Sequence, residues 1–325
     1  MGRRGLLVAA LLCPLALALA WPRLRGLARP DPATAMAPSR AQPRGATAAR
    51  PPAGATTRGV DPNLPLVVGD SRRLIARAID DTAAAAHEEA LVALARRFQG
   101  TPSRAVPVGT APVERLVLDL TAVDSLRFIE QLLALVNSRQ VRSRTEAVDR
   151  FSDHVRRLRY GRGRVDPCAR LVDPRLWALA AARRGYLVDL SPFLQGARQR
   201  RVPLTELLQP GSARSTTTAA PAPTCPEPRE GWVTMAEVPL DAVPAATVSL
   251  RSGDLFVLQG NVPDGQTADI GLLELERGRL GAVLVRPGQG VVRVPDLLAM
   301  ARQQPGTTGL SFLRSLPNAD GRADP

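Results

Sequence analysis

The stretch Val123-Asp124-Ser125-Leu126-Arg127-Phe128-Ile129-Glu130 decides how this chain is read. Asp124 and Ser125 carry short side chains whose oxygens satisfy the free amides that open a helix, and both residue types are favoured there for that reason. Downstream, Leu126, Ile129, Leu132, Leu133 and Val136 fall on one helical face. Further apolar residues nearly surround the axis, so the segment is predicted to be a buried helix.

The flanking sequence supplies what encloses it. Upstream, Ser71 is expected to cap a helix running to about Arg97, with Leu74, Ile75, Ala78, Ile79, Leu91 and Leu94 inward and Gly100 just past its end. Downstream, Ser143-x-x-Glu146 is a capping box, and Val148, Phe151, Val155 and Leu158 form the stripe of the helix it opens. Asp173-Pro174 starts a further helix with Trp177 inward and Gly185 as its stop. The second half changes period. Leu255 to Leu258 follows a Gly253-Asp254 turn, and Glu276-Arg277-Gly278-Arg279 separates the runs Ile270 to Leu275 and Ala282 to Val285 as a hairpin. Val291 to Val294 and Leu310 to Leu313 are further strands, with a short helix near Pro295 to Arg302 between them. A helical first half followed by antiparallel strands predicts an α+β fold.

The ends of the chain have a different character. Arg3 and Arg4 precede an apolar run from Gly5 to Ala20 that ends in small residues, the layout of a secretory signal peptide over residues 1–20. Arg23 and Arg25 keep the alternative of an uncleaved anchor open, and membrane contact is expected through this segment alone. Residues 21–70 are a Pro, Ala and Arg-rich spacer without apolar periodicity, expected to be disordered. The main domain is placed at 71–316, with a low-complexity surface insertion at 209–230 and a loose tail at 317–325.

Composition narrows the function classes. The formal net charge is +13 and every basic residue is arginine, but residues 1–60 hold +8 of it. A nucleic-acid binder concentrates its charge on a folded face beside aromatics or a reading helix, and aromatics make up 3% of this chain, so no nucleic-acid partner is expected. Two histidines, His87 and His154, and the cysteines Cys13, Cys168 and Cys225 offer no paired metal-ligand spacing, so neither a metal nor a cofactor is expected. Export would place Cys168 and Cys225 in an oxidising compartment, where a disulfide is compatible with their number.

The opening stretch also resembles the nucleophile motif Val/Phe-Asp-Cys-x-Thr-Phe-Val-Glu of the N-acetylmuramoyl-L-alanine amidase-like family (domain of unknown function 1460), part of the papain-like cell-wall cysteine amidases and peptidases. Asp124, Phe128 and Glu130 match, Ser125 stands at the cysteine, and Arg127 stands at the usual threonine. Further matches follow in order: Phe98-Gln99-Gly100-Thr101-Pro102 resembles Phe-x-Gly-Thr-Pro, Glu114 to Leu120 the lead into the nucleophile, and Arg159-Tyr160-Gly161-Arg162-Gly163 an Arg-Tyr-Arg-x-Gly signature. Cys168 to Asp173, with Arg170, aligns where members carry Arg-x-His-Tyr. Leu250 to Leu255 resembles Leu-x-x-Gly-Asp-Ile, and Ala268-Asp269-Ile270-Gly271 aligns with Thr-His-Ile-Gly, so that Asp269 stands at the family's catalytic histidine. The resemblance spans roughly residues 70–315 and implies a papain-like cell-wall amidase fold.

In the family's reaction a thiolate at a helix N-terminus attacks an amide, and an imidazole carries the proton. A serine hydroxyl needs a stronger base than a thiol does, and an ordinary carboxylate is a poor one near neutral pH. The leading reading is therefore an exported, non-catalytic relative that binds a peptidoglycan fragment or an envelope protein in the old cleft. Asp124, Arg127, Arg159, Tyr160 and Arg170 are the candidate binding residues, and Ser125 is retained as a helix cap. The alternative is an active peptidoglycan amidase using Ser125 as nucleophile, with Asp269 at the degenerate base position. An envelope assembly factor whose Arg- and Pro-rich spacer spans the periplasm is the third reading. All three place the protein beyond the inner membrane.

Overall fold

The structure, a computed structural model, describes residues 61, 64–104, 114–141, 143–208, 230–260 and 269–317. The signal segment, most of the spacer, nearly all of the insertion and almost all of the tail lie outside these residues, as do Cys13 and Cys225; the end of the spacer, expected to be disordered to residue 70, is corrected by the ordered strand Leu66–Val67.

The chain enters through β1 (Leu66–Val67), which pairs in parallel with β2 (Val117–Leu118), and between them run α1 (Ser71–Thr82) and α2 (His87–Arg97). One continuous helix was expected here, so the break at residues 83–86 is a correction. Asp80 and Asp81 place negative charge at a helix C-terminus, where the dipole disfavours it, whereas Glu88 and Glu89 suit an N-terminus. The Glu89 carboxylate accepts from the Ala86 amide at 3.3 Å. Arg139 gathers carbonyls at the break: its Nη1 donates to Ala85 O at 2.6 Å and, beside the Ala85 amide, to Thr82 O at 2.9 Å. Ser71 does not cap: it is the first residue of α1, and its hydroxyl accepts from the Leu120 amide at 2.9 Å.

The other helices start where their capping residues stand. Asp124 opens α3 (Ser125–Asn137), Ser143 opens α4 (Arg144–Arg159) and Asp173 opens α5 (Pro174–Arg183), each through a side-chain oxygen accepting a first-turn amide. Gly185 follows α5 at φ 75°, the left-handed conformation that ends a helix cheaply for glycine. α3 is buried along almost its whole length.

The second half forms an antiparallel eight-stranded sheet of β3 (Leu187–Asp189), β4 (Arg198–Pro203), β5 (Trp232–Pro239), β6 (Leu255–Gly260), β7 (Ile270–Glu276), β8 (Arg279–Arg286), β9 (Gly290–Val294) and β10 (Thr307–Ser315). The order is β4-β5-β10-β6-β7-β8-β9, with β3 also on β10. The β7–β8 hairpin turns at Arg277 and Gly278, both at positive φ, as a two-residue hairpin requires. Short helices α6 (Leu204–Leu208), α7 (Val243–Ala246) and α8 (Leu297–Gln303), with single 3-10 turns at Pro167–Ala169, Ser191–Phe193 and Thr247–Ser249, make up the remainder.

Strand alternation divides the interior in two. Leu255, Val257, Ile270, Leu272, Val283 and Val285 join the core built by α1–α5. Phe256, Leu258, Leu273, Ala282 and Leu284 pack on the other face with Val243, Leu297 and Met300 of α7 and α8. The sheet is thus covered by a thick helical layer on one face and a thin one on the other.

Candidate functional site

The N-terminus of α3 is assembled from three directions. Asp124 is extended (φ −99°, ψ 173°), and its Oδ1 accepts from the Arg127 amide at 2.8 Å, the geometry of a helix cap. The Phe98–Pro102 stretch threads between this entry and β9. Val123 N donates to Pro102 O at 3.0 Å, Gly100 N to Val291 O at 2.9 Å, and Val291 N to Thr101 O at 2.9 Å. Phe98 meets Phe128 of α3 edge-on at 6.0 Å between centroids. Gly290 is required by this approach, because a Cβ there would lie 2.2 Å from Thr101 O.

Beneath the entry lies a buried charge cluster that unites Asp124, Arg127, Arg159, Tyr160 and Arg170. Glu130 and Arg159 pair at 2.9 Å, and Arg159 Nη1 also donates to Val117 O at 2.9 Å. Glu114 Oε1 accepts from Tyr160 Oη at 2.7 Å and from Arg170 Nη1 at 3.0 Å. Burial raises the Glu130 carboxyl above the usual carboxylate range although Arg159 opposes the shift. Burial and Glu114 push the Tyr160 phenol up. Arg127 has its Nε 3.5 Å from Asp124 Oδ2. Burial, with Arg159 and Arg170 nearby, brings its guanidinium down to about 10 against the pull of Asp124 and Glu130. Sequence reading places Glu114 and Glu130 only within matched motifs; their pairing with Arg170 and Arg159 spans 56 and 29 residues and has no local signal.

Ser125 and Asp269 share no hydrogen bond among the described residues. Ser125 was expected to cap α3, but the cap is Asp124; Ser125 is the first helical residue, half-buried, and its hydroxyl has no hydrogen-bond partner among the described residues. Where the sheet meets α3 it presents Val257, Ile270, Leu272, Val283 and Val285, all apolar. Asp269 precedes Ile270 by one residue, so alternation turns it to the face covered by α8. There its carboxylate accepts a hydrogen bond from the Gln304 side chain beside Arg286, and burial raises its pKa against both.

The histidines are committed elsewhere. His87 Nε2 lies 2.8 Å from Ser315 Oγ, and burial together with Arg139 lowers its pKa. The separation of 228 residues left this pair without a sequence signal. His154 is buried, with Nδ1 2.8 Å from Tyr186 Oη and the two rings edge-on. Cys168, in the turn Pro167–Ala169, is disulfide-bonded to a cysteine outside the described residues. Among the described residues no three His, Cys, Asp or Glu groups converge as metal ligands, and no helix is long and apolar enough to cross a membrane.

No protein-family model and no curated protein sequence matches this chain. Solved structures do. An N-acetylmuramoyl-L-alanine amidase from Bacteroides uniformis superposes with a TM-score of 0.56 at 19% identity, over 71% of this chain and 99% of that one. A Legionella pneumophila protein of the domain of unknown function 1460 family superposes with a TM-score of 0.61 at 14% identity, over 76% of this chain and 95% of that one. At these identities the likeness establishes the fold, which is the amidase-like α+β fold that the motifs implied.

Proposed function

We propose that this protein is an exported member of the amidase-like family that binds peptidoglycan fragments and does not hydrolyse them. The observation that carries the reading is that no base is hydrogen-bonded to Ser125 among the described residues. Its hydroxyl has no hydrogen-bond partner among the described residues, while the Asp269 carboxylate is engaged by Gln304 and both histidines are held by other partners. General-base activation of a hydroxyl needs a base within hydrogen-bond reach, directly or through one water. The amidase fold and the amidase named among the superposed structures support a peptidoglycan ligand at the cell envelope.

One observation favours an active hydrolase as a second reading. The amides of Ser125 and Leu126 open α3 without an acceptor among the described residues, which is how donors for a developing oxyanion are disposed. Incubating the protein and a Ser125→Ala variant with purified peptidoglycan, followed by mass spectrometry of the supernatant and sedimentation of the sacculi, separates the two. Co-sedimentation without fragment release by either protein is expected. Release of stem peptides that vanishes in Ser125→Ala would overturn the binding role and make Ser125 the nucleophile.

A further inference from the structure

Arg127 occupies the third position of α3 with 7% of its side chain exposed, and arginine is rarely so buried without full pairing. Its Nε is buried and makes no hydrogen bond. Its nearest carboxylate, Asp124, stands at 3.5 Å and already commits Oδ1 to the Arg127 amide. The other carboxylates of the cluster are committed as well: Glu130 to Arg159, and Glu114 to Arg170 and Tyr160. A guanidinium carries five donors in a planar fork, and here the Nε donor is buried and unfilled, with Asp124 at ion-pair distance but not hydrogen-bonded to it. The same end of α3 holds the free amides of Ser125 and Leu126, and a helix N-terminus favours negative charge. Burial, and after it the nearby Arg159, lower the pKa of Arg127 against the pull of Asp124.

We propose that the N-terminus of α3 is a carboxylate-binding site in which the guanidinium fork of Arg127 takes the two oxygens of a ligand's carboxylate. A planar monoanion fits better than a phosphate. The fork matches carboxylate geometry, and Asp124 at 3.5 Å repels a second negative charge. The site rests on the binding role proposed above for its natural ligand, but its chemistry is testable apart from that role.

The test is a side-chain ¹⁵N–¹H NMR titration of the full chain with N-acetyl-D-alanine, with the neutral N-acetyl-D-alaninamide and with inorganic phosphate. The Nε–H signal of Arg127, assigned by its loss in both Arg127→Gln and Arg127→Lys, is expected to shift saturably with the acid and to stay in place with the amide. Affinity for the acid is expected to fall roughly tenfold or more in Arg127→Gln, the worth of a charge-assisted hydrogen bond. Equal responses to acid and amide, no shift with the acid, or tighter binding of phosphate than of the acid would each overturn the assignment. Sacculus binding without an acid shift removes this site and leaves the proposed function standing; an acid shift without sacculus binding does the reverse.

Discussion

The Glu130 carboxylate meets the Arg159 guanidinium at 2.9 Å in the interior, with 1% and 3% of the two side chains exposed, so the pair ties the middle of α3 to the end of α4. Desolvating two charges is repaid only when both partners are present. Glu130→Gln is therefore expected to destabilise the fold by about 3–5 kcal/mol in denaturant titrations, through the buried charge it strands. Combining Glu130→Met with Arg159→Met is expected to recover most of that loss. A double variant at least as unstable as Glu130→Gln would show that the pair is worth more than its desolvation.

His87 predicts a pH dependence. Burial and Arg139 lower its pKa below the ordinary 6.5, so the unfolded chain takes up the proton more readily than the folded one. The contribution of neutral His87 is complete above the unfolded value and is lost as pH falls from there through the folded pKa. The thermal midpoint is expected to drop on acidification below about 6.5, with a shallower drop in His87→Gln, which can still bond Ser315. Identical pH profiles for the two proteins would show that another group governs the acid limb.

The facing of the sheet predicts that chemistry cannot be restored by reinstating the two motif residues. Ser125→Cys combined with Asp269→His is expected to release no fragments from peptidoglycan, because position 269 points to Gln304 and α8 whereas α3 packs on Ile270 and Leu272. Fragment release by this double variant, measured by mass spectrometry, would mean that residue 269 reaches the entry of α3 after all.

What was legible in the sequence was local. Asp124, Ser143 and Asp173 cap the helices they were expected to open, because a cap is read within three residues. The break after α1 was hidden, since it depends on Arg139 arriving from beyond α3 to take two carbonyls. β4 was hidden because Arg198, Gln199, Arg200 and Arg201 carry no apolar alternation, as suits a strand at a sheet edge. β5 was missed beside it. At the site, motif order located Asp124, Arg127, Arg159, Tyr160 and Arg170, which do converge.

The edge hairpin has a consequence for how this fold diversifies. Pro203 and Trp232 are register partners, and Leu204 N donates to Gly231 O at 2.9 Å, so the chain departs from β4 and rejoins β5 at a single clamped point. Doubling the length of a connection closed at such a point costs only about 0.6 kcal/mol in closure entropy. The hairpin is therefore an insertion port: length added beyond α6, before the chain rejoins β5, is expected to leave the register of β6 to β9 and the seat of α3 unchanged.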